Sequence, residues 1–118
     1  MDAHHAHWAK LRRDLHAHPE LRFEERRTAD VVARELESLG YAVLRGLGGT
    51  GVVGSLPGAD PGRGIVLRAD LDALPIQEAN DFAHASCANG VMHACGHDGH
   101  TVMLLGAARV LKQLPQLA

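Results

Sequence analysis

No stretch of this sequence restricts the fold more than the apolar run Ile65-Val66-Leu67. The run is continuous rather than alternating, and turn-forming residues precede it at Pro57-Gly58 and Asp60-Pro61-Gly62. A short, continuous apolar run bounded by turn residues is typical of a central strand that is buried on both faces. Strands of this kind belong to sheets that are covered by helices, so the run favours an α/β fold.

Charged residues follow this predicted strand at once. Arg68, Asp70 and Asp72 lie just past its carboxyl end. Open α/β sheets usually bind their ligands at that edge. The segment 68–72 is therefore a candidate functional site.

Helical periodicity predicts two helices ahead of the strands. In the first, Trp8, Leu11 and Leu15 recur at helical spacing, and the pattern ends at His18, because the residue before a proline avoids the helical conformation. The second helix runs from about 23 to 39 and ends at Gly40. Its apolar face consists of Ala29, Val32, Leu36 and Leu39.

The remaining chain predicts strands at 41–44 and 52–56, joined by a glycine-rich turn. Polar loop follows at 76–92, and a last helix runs from about 99 to 114. We expect an α/β fold in which a mixed or mostly parallel sheet, with 65–69 as its third strand, is flanked by three helices.

Composition excludes several classes of protein. The 118 residues carry 12 Lys and Arg against 14 Asp and Glu, a net charge of −2, which does not suit electrostatic binding of nucleic acid. The longest apolar stretch, Val102–Ala108, is far shorter than the roughly 20 residues of a membrane-spanning helix. The N-terminus has no secretory signal pattern, and two cysteines suit a reducing compartment, so we expect a cytosolic domain.

Potential metal ligands are concentrated in the segment from Met92 to His100. Cys95 and His97 are two residues apart, a spacing that brings their side chains together in a loop or at a strand end but not within a helix. Gly96 and Gly99 favour a loop there. A thiolate with an imidazole suits Zn²⁺ first, and Mn²⁺, Co²⁺ or Ni²⁺ where carboxylates complete the shell.

Simpler interpretations of the same residues remain open. Cys95 is also interpretable as a small buried hydrophobic residue, and His97 as a loop histidine with satisfied hydrogen bonds. Asp70 and Asp72 are equally interpretable as a helix cap or as ion-pair partners of Arg68. A cysteine nucleophile with a histidine base is a further alternative, although no oxyanion-binding group is identifiable.

Two long motifs carry a family resemblance. The segments Leu67–Pro75 and Met92–Thr101 resemble the catalytic segment of the metal-dependent amidohydrolases that include hippurate hydrolase, N-acyl-amino-acid deacylase and the auxin-conjugate hydrolases. Arg13–Leu21 and Gly49–Gly54 are similar to the same family, so the resemblance extends over most of the chain.

The resemblance implies a role for each matching residue. Cys95 and His97 match the first two ligands of a two-metal site, and His97 lies near both metals. Asp72 matches the carboxylate that orients a ligand or the base. Asp70 occupies a position where related zinc peptidases have a histidine ligand, which makes it a further candidate ligand. The implied substrates are N-acyl-amino acids, and the implied fold is part of a three-layer zinc-peptidase-like domain.

The family pattern also includes groups that this chain lacks. A catalytic glutamate, a ligand glutamate, two further histidine ligands and a dimerisation domain would follow later in the sequence. We therefore expect residues 1–118 to be the N-terminal part of the catalytic domain, with little activity alone. The alternatives are an inactive metal-binding module, a self-associating module that pairs through a sheet edge or swapped helices, and a thiol-based protein using Cys95.

Overall fold

The computed structural model describes residues 3–56 and 62–114, which form three helices and one small sheet. The helices are α1 (Ala3–Ala17), α2 (Arg26–Ser38) and α3 (His97–Lys112), and the strands are β1 (Ala42–Leu47) and β2 (Gly51–Ser55). The predicted α/β class is confirmed. Most of the loop predicted at 57–62 lies outside the described residues.

Helix α2 begins three residues later than its apolar pattern predicts, and a residue from outside the helix explains the difference. Phe23 adopts a left-handed conformation, with φ of 65°, which no helix can include. The turn it makes brings Glu20 to the helix N-terminus, where its carboxylate accepts hydrogen bonds from Arg27 N at 2.9 Å and Thr28 N at 2.7 Å. Glu20 therefore caps α2, while the N-cap residue Glu25 makes no side-chain cap.

The sheet is antiparallel, so the predicted mixed or mostly parallel sheet is wrong for the described residues. β1 pairs with β2 from Ala42 opposite Ser55 to Leu47 opposite Gly51. The connection between the strands is a tight turn, and a tight turn joins only antiparallel strands, because parallel strands need a long crossover. The register shifts at Gly46, where φ is 84° and β1 bulges.

The Ile65-Val66-Leu67 run is not a buried strand, and this prediction is wrong. The segment 63–70 forms no helix or strand, and Ile65 and Val66 are 92% and 90% exposed. A strand with two buried faces requires a hydrogen-bonding neighbour and a covering layer on each side. Nothing in residues 3–56 and 62–114 supplies either, so three apolar side chains face solvent.

Helices and sheet share a modest apolar core. Its buried members are Leu15, Val32, Ala33, Ala73, Val102, Leu105 and Ala108. α2 packs on both strands and on α3, and α3 packs on α1. The Tyr41 hydroxyl donates to the carbonyl of Ala108 at 2.8 Å, which connects the start of the sheet to the C-terminal half of α3.

The segment 71–96 is irregular, as predicted for 76–92, but backbone hydrogen bonds hold it in place. Ala73 N donates to Glu20 O at 2.8 Å, and Leu74 and Met92 exchange two hydrogen bonds. Cys87 N donates to Ala17 O at the end of α1 at 2.9 Å. The segment is therefore fixed against the first 20 residues and leads into α3. No helix in the described part of the chain is long and apolar enough to cross a membrane.

Candidate metal site

Gly96 separates the two residues that the sequence singles out as ligands. It is the N-cap of α3 and has a left-handed conformation, with φ of 82°. Cys95 lies outside the helix, and His97 is its first residue. The loop predicted for both residues is therefore correct for Cys95 only, since α3 begins two residues before the predicted position.

His97 is oriented by Asp72. Its Nδ1 lies 2.9 Å from Asp72 Oδ1 and 2.9 Å from the Asp72 carbonyl oxygen. Both partners accept hydrogen bonds only, so Nδ1 carries the proton, and in the neutral ring the lone pair is on Nε2. Metal-binding histidines are held in this way by carboxylates and carbonyls. The side chain of His97 is 16% exposed, which leaves the ring accessible.

Asp70 makes different contacts. Its carboxylate forms an ion pair with Arg68, as the ion-pair interpretation predicted. Its backbone carbonyl accepts a hydrogen bond from Thr101 Oγ1 at 3.1 Å. Asp70 therefore connects the segment before the site to the second turn of α3 through its backbone, while Asp72 connects it to the first turn through its interaction with His97.

Cys95 is exposed and carries a free thiol, so its interpretation as a small buried hydrophobic residue is wrong. Cys87 is also free and exposed, but its Sγ donates to the carbonyl of Ala17 at 2.7 Å. Within the described ranges, no group of three or more His, Cys, Asp or Glu side chains is arranged to hold a metal ion. A thiol and an imidazole with a free Nε2 fit as two donors of a larger ligand set.

A buried network of charged residues lies beside this turn, and the sequence did not predict it. His16 Nδ1 is 2.9 Å from Asp98 Oδ2, and His16 Nε2 is 3.0 Å from Glu78 Oε1. The His16, Glu78 and Asp98 side chains are 6%, 2% and 0% exposed. Arg12 Nε donates to the same Asp98 oxygen at 3.1 Å. Both ring nitrogens of His16 face carboxylates, an arrangement that is satisfied when both nitrogens carry protons.

Hydrogen bonds keep both carboxylates of this network ionised. Burial raises the pKa of Glu78, but hydrogen bonds from Asn80, the Ser86 backbone and His16 outweigh it and bring that pKa to about 2. Burial likewise raises the pKa of Asp98, and hydrogen bonds from His16 and the Gly99 backbone lower it below its ordinary value. The network therefore holds two negative charges in a solvent-excluded position.

His93 is a second buried residue whose contacts the sequence did not predict. Its ring is 6.3 Å from that of His16, between centroids. Neither ring nitrogen has a hydrogen-bond partner among the described residues. Burial lowers the pKa of His93, which favours the neutral ring.

A cleft of about 340 Å³ lies away from these residues, against the turn between the strands. Arg26, Asp30, Arg45 and Thr50 line it, and none of Asp70, Asp72, Cys95 and His97 does. Glu25 is buried nearby and accepts a hydrogen bond from Thr50 Oγ1 at 2.6 Å.

Comparison with known proteins gives consistent results. Residues 66–118 match the family described as peptidase family M20/M25/M40. The chain is 56% identical over 103 residues to an N-acyl-L-amino acid amidohydrolase of Geobacillus stearothermophilus, covering 87% of this chain and 28% of that protein. It is 50% identical over 102 residues to hippurate hydrolase of Campylobacter jejuni, covering 86% of this chain and 27% of that enzyme.

A solved structure agrees with these matches. The YXEP protein of Bacillus subtilis, described as a dinuclear metal-binding peptidase from the M20 family, superimposes with a TM-score of 0.88 and 45% identity. The match covers 94% of this chain and 31% of that one. The chain thus spans between a quarter and a third of the length of each of these three relatives. The resemblance predicted from the motifs is confirmed, and residues 66–118 carry the match to peptidase family M20/M25/M40.

Proposed function

We propose that this chain supplies part of the divalent-metal site of a hydrolase that cleaves the amide bond of N-acyl-amino acids. Cys95 and His97 are the metal ligands, and Asp72 orients His97. The observation that carries the proposal is the pair of 2.9 Å contacts from Asp72 to His97 Nδ1, because they leave Nε2 as the ring nitrogen that can bind a metal, two residues along the chain from an exposed thiol. The names of the relatives from Geobacillus and Campylobacter support the substrate class.

The residues of this chain have distinct tasks in the proposed reaction. Asp72 keeps the proton of His97 on Nδ1, and Cys95 contributes a negatively charged sulfur once it is deprotonated. Divalent metal ions, when bound, supply Lewis acidity toward the amide carbonyl and lower the pKa of a water molecule. A thiolate and an imidazole suit Zn²⁺, Mn²⁺, Co²⁺ or Ni²⁺, two ions in a complete site, with Asp70 as a further candidate ligand. A thiolate ligand requires reduced Cys95, so we infer a reducing compartment such as the cytosol.

The test is hydrolysis of N-benzoylglycine and other N-acyl-amino acids by the natural gene product, with each of the four metals added. We expect turnover in the unaltered protein and its loss in both Cys95→Ser and His97→Ala. Cys87→Ser is the matched control, since serine keeps the hydrogen bond to Ala17 and the control should retain activity. Absence of turnover with every N-acyl-amino acid would contradict the proposal.

A second candidate is a self-associating module, and the exposed run Ile65-Val66-Leu67 favours it. The run forms no helix or strand and presents apolar side chains to solvent. Apolar segments without backbone pairing partners readily add to a strand of another chain. We propose that two copies of the 118-residue chain associate through this run.

A further inference from the structure

We propose that His16 is a positioning residue for the metal site, which it serves by bridging Glu78 and Asp98 and thereby fixing the first turn of α3. The inference rests on the proposed function, since it assigns a task to residues that would not touch the metal. His16 would act through Asp98, the immediate neighbour of His97.

The geometry of α3 links the two residues. His97 and Asp98 are consecutive in the first turn of the helix, so their side chains project about 100° apart around its axis. His97 contacts Asp72 on one side, and Asp98 contacts His16 on the other. The side chains of this turn are therefore held from two directions, and both contacts help to fix the position of His97.

The contact between Asp98 and His16 is buried, so its loss is costly. Asp98 is fully buried, and its Oδ2 accepts from both His16 at 2.9 Å and Arg12 at 3.1 Å. Removing one partner of a buried charge network leaves the other charge uncompensated. The carboxylate of Asp98 would then move toward solvent, and the helical turn that carries His97 would move with it.

The network also includes the loop that precedes the site. Glu78 Oε1 accepts a hydrogen bond from His16 Nε2, and Glu78 Oε2 accepts one from Ser86 N at 2.5 Å. One imidazole thus connects α1, the loop at 78–86 and α3. If His16 has a purely structural role, its replacement lowers only the stability of the fold. If it is a positioning residue, its replacement also changes the geometry of the metal ligands.

The test is a Co²⁺ titration of the natural gene product, followed through the thiolate-to-cobalt absorption band of Cys95, together with thermal unfolding. The variants are His16→Gln and the milder Arg12→Gln, whose guanidinium is half exposed. Tyr41→Phe is the matched control, because it removes a hydrogen bond to α3 at Ala108, remote from the first turn. All measurements are made at a temperature where each variant is folded.

We expect His16→Gln and Arg12→Gln to weaken Co²⁺ binding by about 10-fold to 100-fold and to alter the band, as loss of an orienting partner does. Tyr41→Phe should lower the unfolding temperature and leave the Co²⁺ affinity and the absorption band unchanged. Unchanged Co²⁺ affinity and band in the network variants would overturn the inference alone. If His16→Gln does not fold, the Co²⁺ affinity and band of Arg12→Gln provide the test. A wild-type chain without the band would overturn the proposed metal site as well.

Discussion

At the scale of single residues, Asp72 assigns separate roles to the two nitrogens of His97. It keeps the proton on Nδ1 and leaves Nε2 to bind a metal. Asp72→Asn keeps the size of the side chain but removes its charge and half of its acceptor capacity toward Nδ1. We expect Zn²⁺ affinity to fall by about 10-fold to 100-fold, measured by calorimetric titration. Asp30→Asn is the control, because it removes a carboxylate that forms only surface ion pairs. Equal affinities in the two variants would argue against the orienting role.

The lowered pKa of Glu78 predicts a dependence of stability on pH. Its pKa is about 2 in the folded chain against an ordinary value of 4.5, so the folded state holds its proton less tightly than the unfolded state does. The stabilisation from its hydrogen bonds is fully present above about pH 4.5 and is lost as pH falls toward 2.

We therefore expect the difference in unfolding free energy between the wild-type chain and Glu78→Gln to shrink from pH 5 to pH 2.5 in urea titrations. Glu37→Gln, which alters an exposed ion pair, provides the comparison and should show a much smaller change. A difference for Glu78→Gln that stays constant across this range would show that its ionisation does not contribute.

Residues of the site differ in how far the sequence predicts them. Two sequence motifs contain Cys95, His97 and Asp72, and the family resemblance of these motifs implies a role for each residue. The structure brings Asp72 and His97 together. His16 lies in a motif too, but its partners are 62 and 82 residues away. No periodicity or spacing connects positions so far apart, so a single sequence contains no signal for this network.

At the scale of elements, the junction at Gly96 offers a clean comparison between two glycines. Gly96 has φ of 82°, Gly99 has no positive φ, and a Cβ at either would meet nothing within 4 Å. Gly96→Ala should lower the unfolding free energy by about 1 to 2 kcal/mol, because an L-residue is strained in the left-handed region. Gly99→Ala should raise it by about 0.5 to 1 kcal/mol, because alanine favours the helix.

Urea unfolding of both variants measures the two effects. Because added volume is harmless at both sites, the opposite signs would isolate the backbone conformation as the cause. Destabilisation of similar size in both variants would mean that the αL conformation of Gly96 is not required for the start of α3.

Local signals predict the helices well and the sheet poorly. The stop before Pro19 and the apolar face of α2 are local features, and α1 and α2 follow them closely. The first residue of α2 depends instead on Glu20, a cap from outside the helix. Ile65-Val66-Leu67 has the pattern of a central strand. A buried strand also requires hydrogen-bonding neighbours and covering layers, which the pattern alone does not supply.

At the scale of the whole molecule, the exposed run predicts concentration-dependent association of the 118-residue chain. Val66→Lys places a charge on the run, where an approaching apolar strand would have to bury it. We expect sedimentation velocity to show dimers in the wild-type chain and monomers in Val66→Lys. Val110→Lys, at an exposed apolar position on α3, is the control and should leave the dimer intact. A wild-type chain that stays monomeric at high concentration would refute association through the run.

The imidazole that joins α1, the loop at 78–86 and α3 also limits how pieces of this molecule can be exchanged with those of its relatives. His16, Glu78 and Asp98 complement one another in charge and in hydrogen-bonding direction, although long stretches of sequence separate them. A chimera that replaces only one of the three segments inherits one partner without the other two. Segment swaps are therefore expected to succeed when all three positions come from the same parent or carry the same residues in both.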